Sequence, residues 1–184
     1  MLFRSIDVDR VPIHGGSLLV HVAHEAANPV SPRLLEVLSQ EDNLQLDQIE
    51  TWRSFARRVT HVKEELLRFL DGIQARGESL AGYGAAAKAN TLLAYCGIGP
   101  ERLAYIVDGS PLKQGLLTPG HHIPVRGPEM LLEQPPDVIL ILAWNLAAEI
   151  VEQQSEYRQR GGRFAVPLPA PRFLSEQAWS TASA

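Results

Sequence analysis

The stretch Ser79-Leu80-Ala81-Gly82-Tyr83-Gly84-Ala85-Ala86-Ala87-Lys88-Ala89-Asn90 constrains this chain most. A short apolar run enters two glycines and then a run of good helix formers. Gly82 and Gly84 permit a tight turn and a close approach of backbone to a ligand. The helix that follows aims unpaired N–H groups at whatever lies in front of it, and an anion suits them best. Gly82-x-Gly84-x-x-Ala87 fits the G-x-G-x-x-G/A spacing of dinucleotide-binding folds. That spacing gains meaning only with a strand before it, a helix after it and an acid at the end of the next strand. The sequence offers all three, with Asp108 as the acid.

Downstream of Gly77 the pattern alternates strand and helix. Strands are predicted at residues 80–83, 103–107, 123–125, 137–142 and 164–167, with helices over 85–96, 128–133 and 145–160. The run Asp137-Val138-Ile139-Leu140-Ile141-Leu142 has the unbroken apolar character of a strand covered on both faces. Repeated βα units imply an α/β fold, a Rossmann-like three-layer parallel sheet whose ligands sit beyond the carboxyl ends of its strands. Residues 78–169 are assigned to this domain, and residues 170–184, rich in Pro, Ser and Ala, to a loose tail.

Two elements precede it. Residues 1–24 alternate in the manner of a β-hairpin, with Ile6, Val8, Leu18, Val20 and Val22 on strands and Gly15-Gly16 at the bend. Residues 25–77 read as a linker and a long helix. Pro29 and Pro32 break the linker, and residues 32–38 make a short helix. Over 45–75, Ile49, Trp52, Phe55, Val59, Val62, Leu66, Phe69, Leu70 and Ile73 recur at steps of three and four. Such a stripe packs on a sheet or a partner, and a homodimer is one way to cover it.

Composition narrows the function classes. The net charge of −4 argues against a general nucleic-acid surface. No apolar run approaches the roughly 20 residues that span a bilayer, so no membrane role is expected. The N-terminus lacks the basic start and apolar core of a signal peptide, which makes a cytoplasmic protein the expectation. The single Cys96 excludes an internal disulfide and a cysteine-rich zinc site. Adjacent His121 and His122 point to opposite sides of an extended segment and do not chelate together, so no metal is expected.

The candidate site residues cluster at the expected carboxyl edge. Gly82, Gly84, Ala85 and Lys88 form a phosphate cradle with a cation, or else a tight turn and a solvated lysine; Asn90 adds a polar contact. Lys88 lies in the first turns of its helix, where the dipole disfavours a cation unless an anion is near. Asp108 either receives a ribose hydroxyl or starts the turn Asp108-Gly109-Ser110-Pro111. Lys113 and Gln114 lie on the loop beyond. Trp144 stacks on a base or covers the core, and Asn145 binds polar ligand atoms or caps the next helix. His14, at the Gly-Gly bend, is a polar contact if a cleft meets it, or a solvated turn residue.

Several blocks occur together in order: His14-Gly15-Gly16-Ser17, the run from Gly82 to Leu93, Asp108-Gly109-Ser110-Pro111-Leu112-Lys113-Gln114-Gly115, Pro119-Gly120-x-x-Ile123-Pro124-Val125 and Leu142-Ala143-Trp144-Asn145. This combination resembles the C-terminal domain of the S-adenosylmethionine-dependent sugar C-methyltransferases, which act on nucleotide-linked keto-deoxysugars such as dTDP-hexoses. The resemblance spans nearly the whole chain. It implies a nucleotide-sugar-binding domain, with Gly84, Ala85, Lys88 and Asn90 facing the pyrophosphate. Asp108, Lys113 and Gln114 would lie near the nucleoside, and His14 near the sugar.

The family joins this domain to a zinc-binding domain and a methyl-transfer domain, and the motifs of those two have no match here. The chain thus resembles the last part of such an enzyme, with the hairpin akin to the closing strands of the methyl-transfer domain. S-adenosylmethionine and the catalytic base are expected on that other domain, with no cofactor and no turnover on this chain alone. Two departures stand out. The family often has Arg where this chain has Leu19, and a basic residue where it has Leu116. A nicotinamide-binding oxidoreductase domain and a non-catalytic scaffold are the rival readings.

Overall fold

The computed structural model describes residues 2–13, 16–24 and 29–175, and the chain divides into two compact units, Met1–Arg58 and Val59–Ala184.

In the first unit β1 (Phe3–Val11) and β2 (Ser17–His24) pair antiparallel, with Val8 opposite Val20 and a register shift between Ser5 and Asp7. A lone two-stranded ribbon needs something to pack on. Here it is helix α1 (Pro32–Asn43), whose Leu34 and Val37 bury Val8 together with Val30. Ser31 caps α1 by accepting the Leu34 N–H at 3.2 Å, and Pro32 occupies the first turn, where its missing N–H costs nothing. The helix runs past the predicted end at Leu38. Ser39 to Asn43 contain no breaker, and Gln40 donates to Glu36 one turn back at 3.3 Å. Alternation along β2 does not translate into a buried face. Leu18, Leu19, Val20 and Val22 are all exposed, because α1 covers only β1.

A polar cluster fastens α1 to the hairpin. Ser31 Oγ, the Val8 N–H and the Arg33 guanidinium all donate to Asp7, while Arg33 also reaches Asp9. Chiefly through the Ser31 hydroxyl, then Arg33, the Asp7 carboxyl is lowered from 3.8 to about 2. A depressed folded-state pKa means stabilisation that is full above the unfolded value and lost as pH falls through the folded one. The attachment should therefore hold down to about pH 4 and weaken towards pH 2. NMR titration of the Asp7 carboxyl is expected to give a midpoint near 2; an ordinary carboxylate midpoint would contradict this cluster.

Helix α2 (Ile49–Ala75) starts later than the predicted residue 45, since Gln45 adopts a positive φ of 52° that no helix accommodates. Its apolar stripe divides. Leu66, Leu70 and Ile73 are fully buried in the second unit, whereas Ile49, Trp52 and Phe55 are exposed. Gly77, left-handed at φ +72°, ends the helix as predicted.

The second unit holds a six-stranded sheet in the order β5-β4-β3-β6-β7-β8. Its strands are β3 (Leu80–Tyr83), β4 (Ile106–Val107), β5 (Val125–Arg126), β6 (Val138–Ile141), β7 (Arg163–Val166) and β8 (Arg172–Phe173). The first five are parallel and β8 is antiparallel to β7. Alternation along the strands feeds two cores. Leu80, Ile106, Val138 and Leu140 join α2 and Ala89, Leu93 and Cys96 of α3 (Ala87–Cys96). Ala81, Tyr83, Val107, Ile139 and Ile141 join Leu131 of α4 (Met130–Glu133), Ile150 and Val151 of α5 (Ala147–Gln153) and Tyr157 of α6 (Ser155–Gln159). This is the predicted three-layer, Rossmann-like α/β arrangement. The chain runs outward from β3 through β4 to β5 and then crosses to β6, so the switch point lies between β3 and β6.

Three details differ from the sequence reading. The long helix over 145–160 is a 3-10 turn (Trp144–Leu146) followed by α5 and α6. The break falls at Gln154 (φ −100°, ψ 37°), whose side-chain amide donates to the Tyr83 hydroxyl at 3.2 Å. Beyond Pro169, Arg172 and Phe173 form a strand because Phe173 packs on Phe69 at 5.0 Å and Arg163 lies over its ring. At the other edge, residues 115–117 cover β5, with the Gly115 N–H on the Val125 carbonyl at 3.0 Å and the Val125 N–H on the Leu116 carbonyl at 2.9 Å. Residues 176–184 lie outside the described residues.

Candidate functional site at the carboxyl edge of the sheet

The two glycines of the loop serve different ends. Gly82 sits inside β3, where a Cβ would come 2.9 Å from Ile106 Cγ1 and 3.0 Å from Leu142 Cδ1. It is small because Ile106 of β4 and Leu142, the residue after β6, carry branched side chains into the same layer. Gly84 turns the chain off the strand at φ +96°, and a Cβ there would lie 2.8 Å from the Ala143 Cβ. Its N–H donates to the Val107 carbonyl at 2.7 Å, tying the turn to β4. Helix α3 then opens at Ala86 with no side-chain cap. Its first N–H groups are left to water or to a ligand at the carboxyl edge.

Lys88 stands in the first turn of α3. Its ammonium donates to the Asn145 amide oxygen and lies 4.5 Å from the centre of the Trp144 ring. Both partners are neutral, so they orient the charge without cancelling it. Partial burial lowers the Lys88 pKa, the direction expected for an ammonium losing water without gaining a carboxylate. Trp144 and Asn145 come from the turn directly after β6, across the switch point. The three side chains thus form one group. Asn90, one turn into α3, keeps a buried Oδ1 with no hydrogen-bond partner.

Asp108 forms the centre of a second group. It closes β4 and is only 9% exposed. Its Oδ2 accepts the Ala85 N–H at 2.8 Å and the Lys113 ammonium at 3.0 Å, and its Oδ1 accepts the Ser110 N–H at 2.9 Å. Gln114 donates to the Asp108 carbonyl at 3.0 Å. Asp108, Lys113 and Gln114 therefore fold the post-β4 loop onto the post-β3 loop. His14 lies outside the described residues. Among the described residues no three His, Cys, Asp or Glu side chains come together as a metal-holding group.

Tyr83 was not singled out in the sequence. Its hydroxyl meets Gln154, and burial, with Asp108 and Glu149 nearby, raises its pKa. The signal was available in strand alternation: once Gly82 faces the α3 layer, Tyr83 must face α5 and α6.

The second unit is a Rossmann-like α/β domain with a cationic side chain at its switch point. Residues 12–169 match the family described as the C-methyltransferase C-terminal domain, and the chain belongs to that family. It is similar to C-methyltransferase NovU of Streptomyces niveus, at 39% identity over 175 residues, which is 95% of this chain and 42% of that protein. The chain thus spans less than half the length of that relative. No helix among the described residues is long and apolar enough to cross a membrane.

Proposed function

We propose that this chain is the nucleotide-sugar-binding part of a S-adenosylmethionine-dependent C-methyltransferase acting on a dTDP-linked keto-deoxysugar. The observation that carries this reading is Lys88. It is a cation on the uncapped N-terminus of α3, held by Asn145 and Trp144 at the switch point and not neutralised by them. A pyrophosphate offers the charge that both the helix N-terminus and Lys88 call for. Asn90 supplies a further polar contact, and Trp144 a face for a sugar or base. The part this domain plays in the reaction is to bind and orient the substrate, which lowers the entropic share of a barrier raised elsewhere.

The residues here do not fit S-adenosylmethionine. A Rossmann-type site for an adenosyl ligand uses a free carboxylate at the tip of the second strand, and Asp108 already holds three donors. The cofactor and the proton-abstracting base are assigned to a methyl-transfer domain, carried on the same enzyme or on another chain. The exposed Leu18, Leu19, Val20 and Val22 of the hairpin would form part of its contact.

Calorimetric titration of this chain with dTDP-sugar, S-adenosylmethionine and NADH tests the reading. Binding of dTDP-sugar alone is expected. Binding of NADH alone would point to an oxidoreductase domain, and silence with all three to a scaffold.

A further inference from the structure

Asp108 stands where dinucleotide-binding folds keep the acid that receives a ribose diol, at the end of the strand next to the glycine loop. In such folds that carboxylate is open to the ligand, and the amide groups just past the second glycine are open to the pyrophosphate. Here the carboxylate and the first of those amides, that of Ala85, are engaged with each other, and only the N–H groups further into α3 stay open. The Ala85 N–H, the amide directly after Gly84, is 2.8 Å from Asp108 Oδ2, and the Ser110 N–H and Lys113 ammonium take two more of the carboxylate's lone pairs. A carboxylate has about four acceptor positions, so about one remains, on a residue only 9% exposed. An anion equivalent therefore already sits beside Gly84, supplied by the protein itself. A second anion placed against Ala85 would meet like charge in a partly desolvated turn.

We propose that Asp108 is a specificity-determining residue that closes this glycine loop to nicotinamide dinucleotides and leaves the Lys88 side of α3 to a deoxynucleoside diphosphate. The inference rests on the nucleotide-sugar reading for the ligand that is admitted, and on Asp108 alone for the ligand that is refused. A 2′-deoxyribose presents no diol, so it loses nothing when the carboxylate is engaged. Lys113, 3.0 Å from Asp108 Oδ2, is engaged by that carboxylate and is not available to hold a dinucleotide phosphate, while Oδ2 still lies on the Ala85 N–H that such a phosphate would need. Lys88, whose partners are an amide oxygen and a ring, remains the open cation.

The test compares dTDP and NADH by calorimetry on the whole chain, wild type and Asp108→Asn. The asparagine removes the charge and releases Lys113; Asp108→Ser, with a shorter side chain, also uncovers the Ala85 N–H and serves if the first variant melts early. Wild type should bind dTDP at least tenfold more tightly than NADH. In the variants the ratio of NADH affinity to dTDP affinity should rise at least tenfold. A residue that merely held the loop would shift both ligands together. Equal wild-type affinities, or variants whose ratio stays at the wild-type value while dTDP still binds, overturn the inference and leave the nucleotide-sugar reading standing. A gain for NADH in a protein that never binds dTDP supports the role of Asp108 and defeats that reading. Silence of every form towards both ligands defeats both.

Discussion

Gly84→Ala is expected to be among the most destabilising single-methyl additions in this chain. Two costs combine at one atom. The residue is held at φ +96°, where an L side chain is strained by about 1–2 kcal/mol. Its new Cβ would also meet the Ala143 Cβ at 2.8 Å and the Ala143 backbone nitrogen at 3.3 Å. The obstacle is not a flexible side-chain tip, because Ala143 follows β6 and its position is set by the backbone. Overpacking of this kind costs about 1–3 kcal/mol more. Together these predict a loss of about 3 kcal/mol, which for a chain this long lowers the melting temperature by roughly 6–12 °C. Gly115 separates the two causes. It has φ +82° but open space around its missing side chain, so Gly115→Ala should lose only the conformational part. Equal losses in the two variants would show that the close approach to Ala143 contributes nothing.

Lys88→Ala should have the opposite signature, a large effect on binding with little on folding. A charge-assisted contact with a phosphate contributes about 1.5–3 kcal/mol, so dTDP-sugar affinity should fall by roughly 10–100-fold. The fold loses the Asn145 hydrogen bond and the contact over Trp144, worth about 1 kcal/mol between exposed groups. Against that, alanine is the better helix former, and a cation is removed from the positive end of α3. Thermal stability should thus stay within about 1 kcal/mol of wild type. A variant that binds normally would remove Lys88 from the proposed pyrophosphate contact.

Local pattern made much of the second unit legible. Gly77 stops α2, Leu80–Tyr83 forms the strand that was expected, and the run from Val138 to Ile141 is buried on both faces. Each of these depends on a nearest-neighbour signal, either a left-handed glycine or an unbroken apolar run. What sequence missed depends on partners far along the chain. The break at Gln154 coincides with a side-chain contact to Tyr83, seventy-one positions earlier, which helical periodicity does not register. The exposure of Val20 and Val22 follows from which strand α1 covers, a choice that alternation within β2 does not encode.

At the site the residue types were legible and their pairing was not. Gly82 looked like a ligand-facing glycine, but Ile106 and Leu142 already require the absence of its Cβ. Asp108 carried both a ribose-binding and a turn reading. The Ser110 N–H on its Oδ1 is the turn contact, Lys113 reaches Oδ2 from five positions on in the same loop, and the Ala85 contact needs the loop after β3 to be in place first. The place of Lys88 in the first turn of a helix was legible in the sequence. Its grouping with Trp144 and Asn145 required the crossover that sets β6 beside β3.

The most direct measurement is a two-dimensional 15N NMR titration of this chain with dTDP-sugar, followed residue by residue. The largest shifts are expected at the amides of Ala86, Ala87 and Lys88 and at the indole N–H of Trp144. The amides of Leu80 and Val138, at the opposite end of their strands, should stay still. Shifts concentrated at that opposite end, or none at saturating ligand, would contradict a nucleotide-sugar site at the carboxyl edge of this sheet.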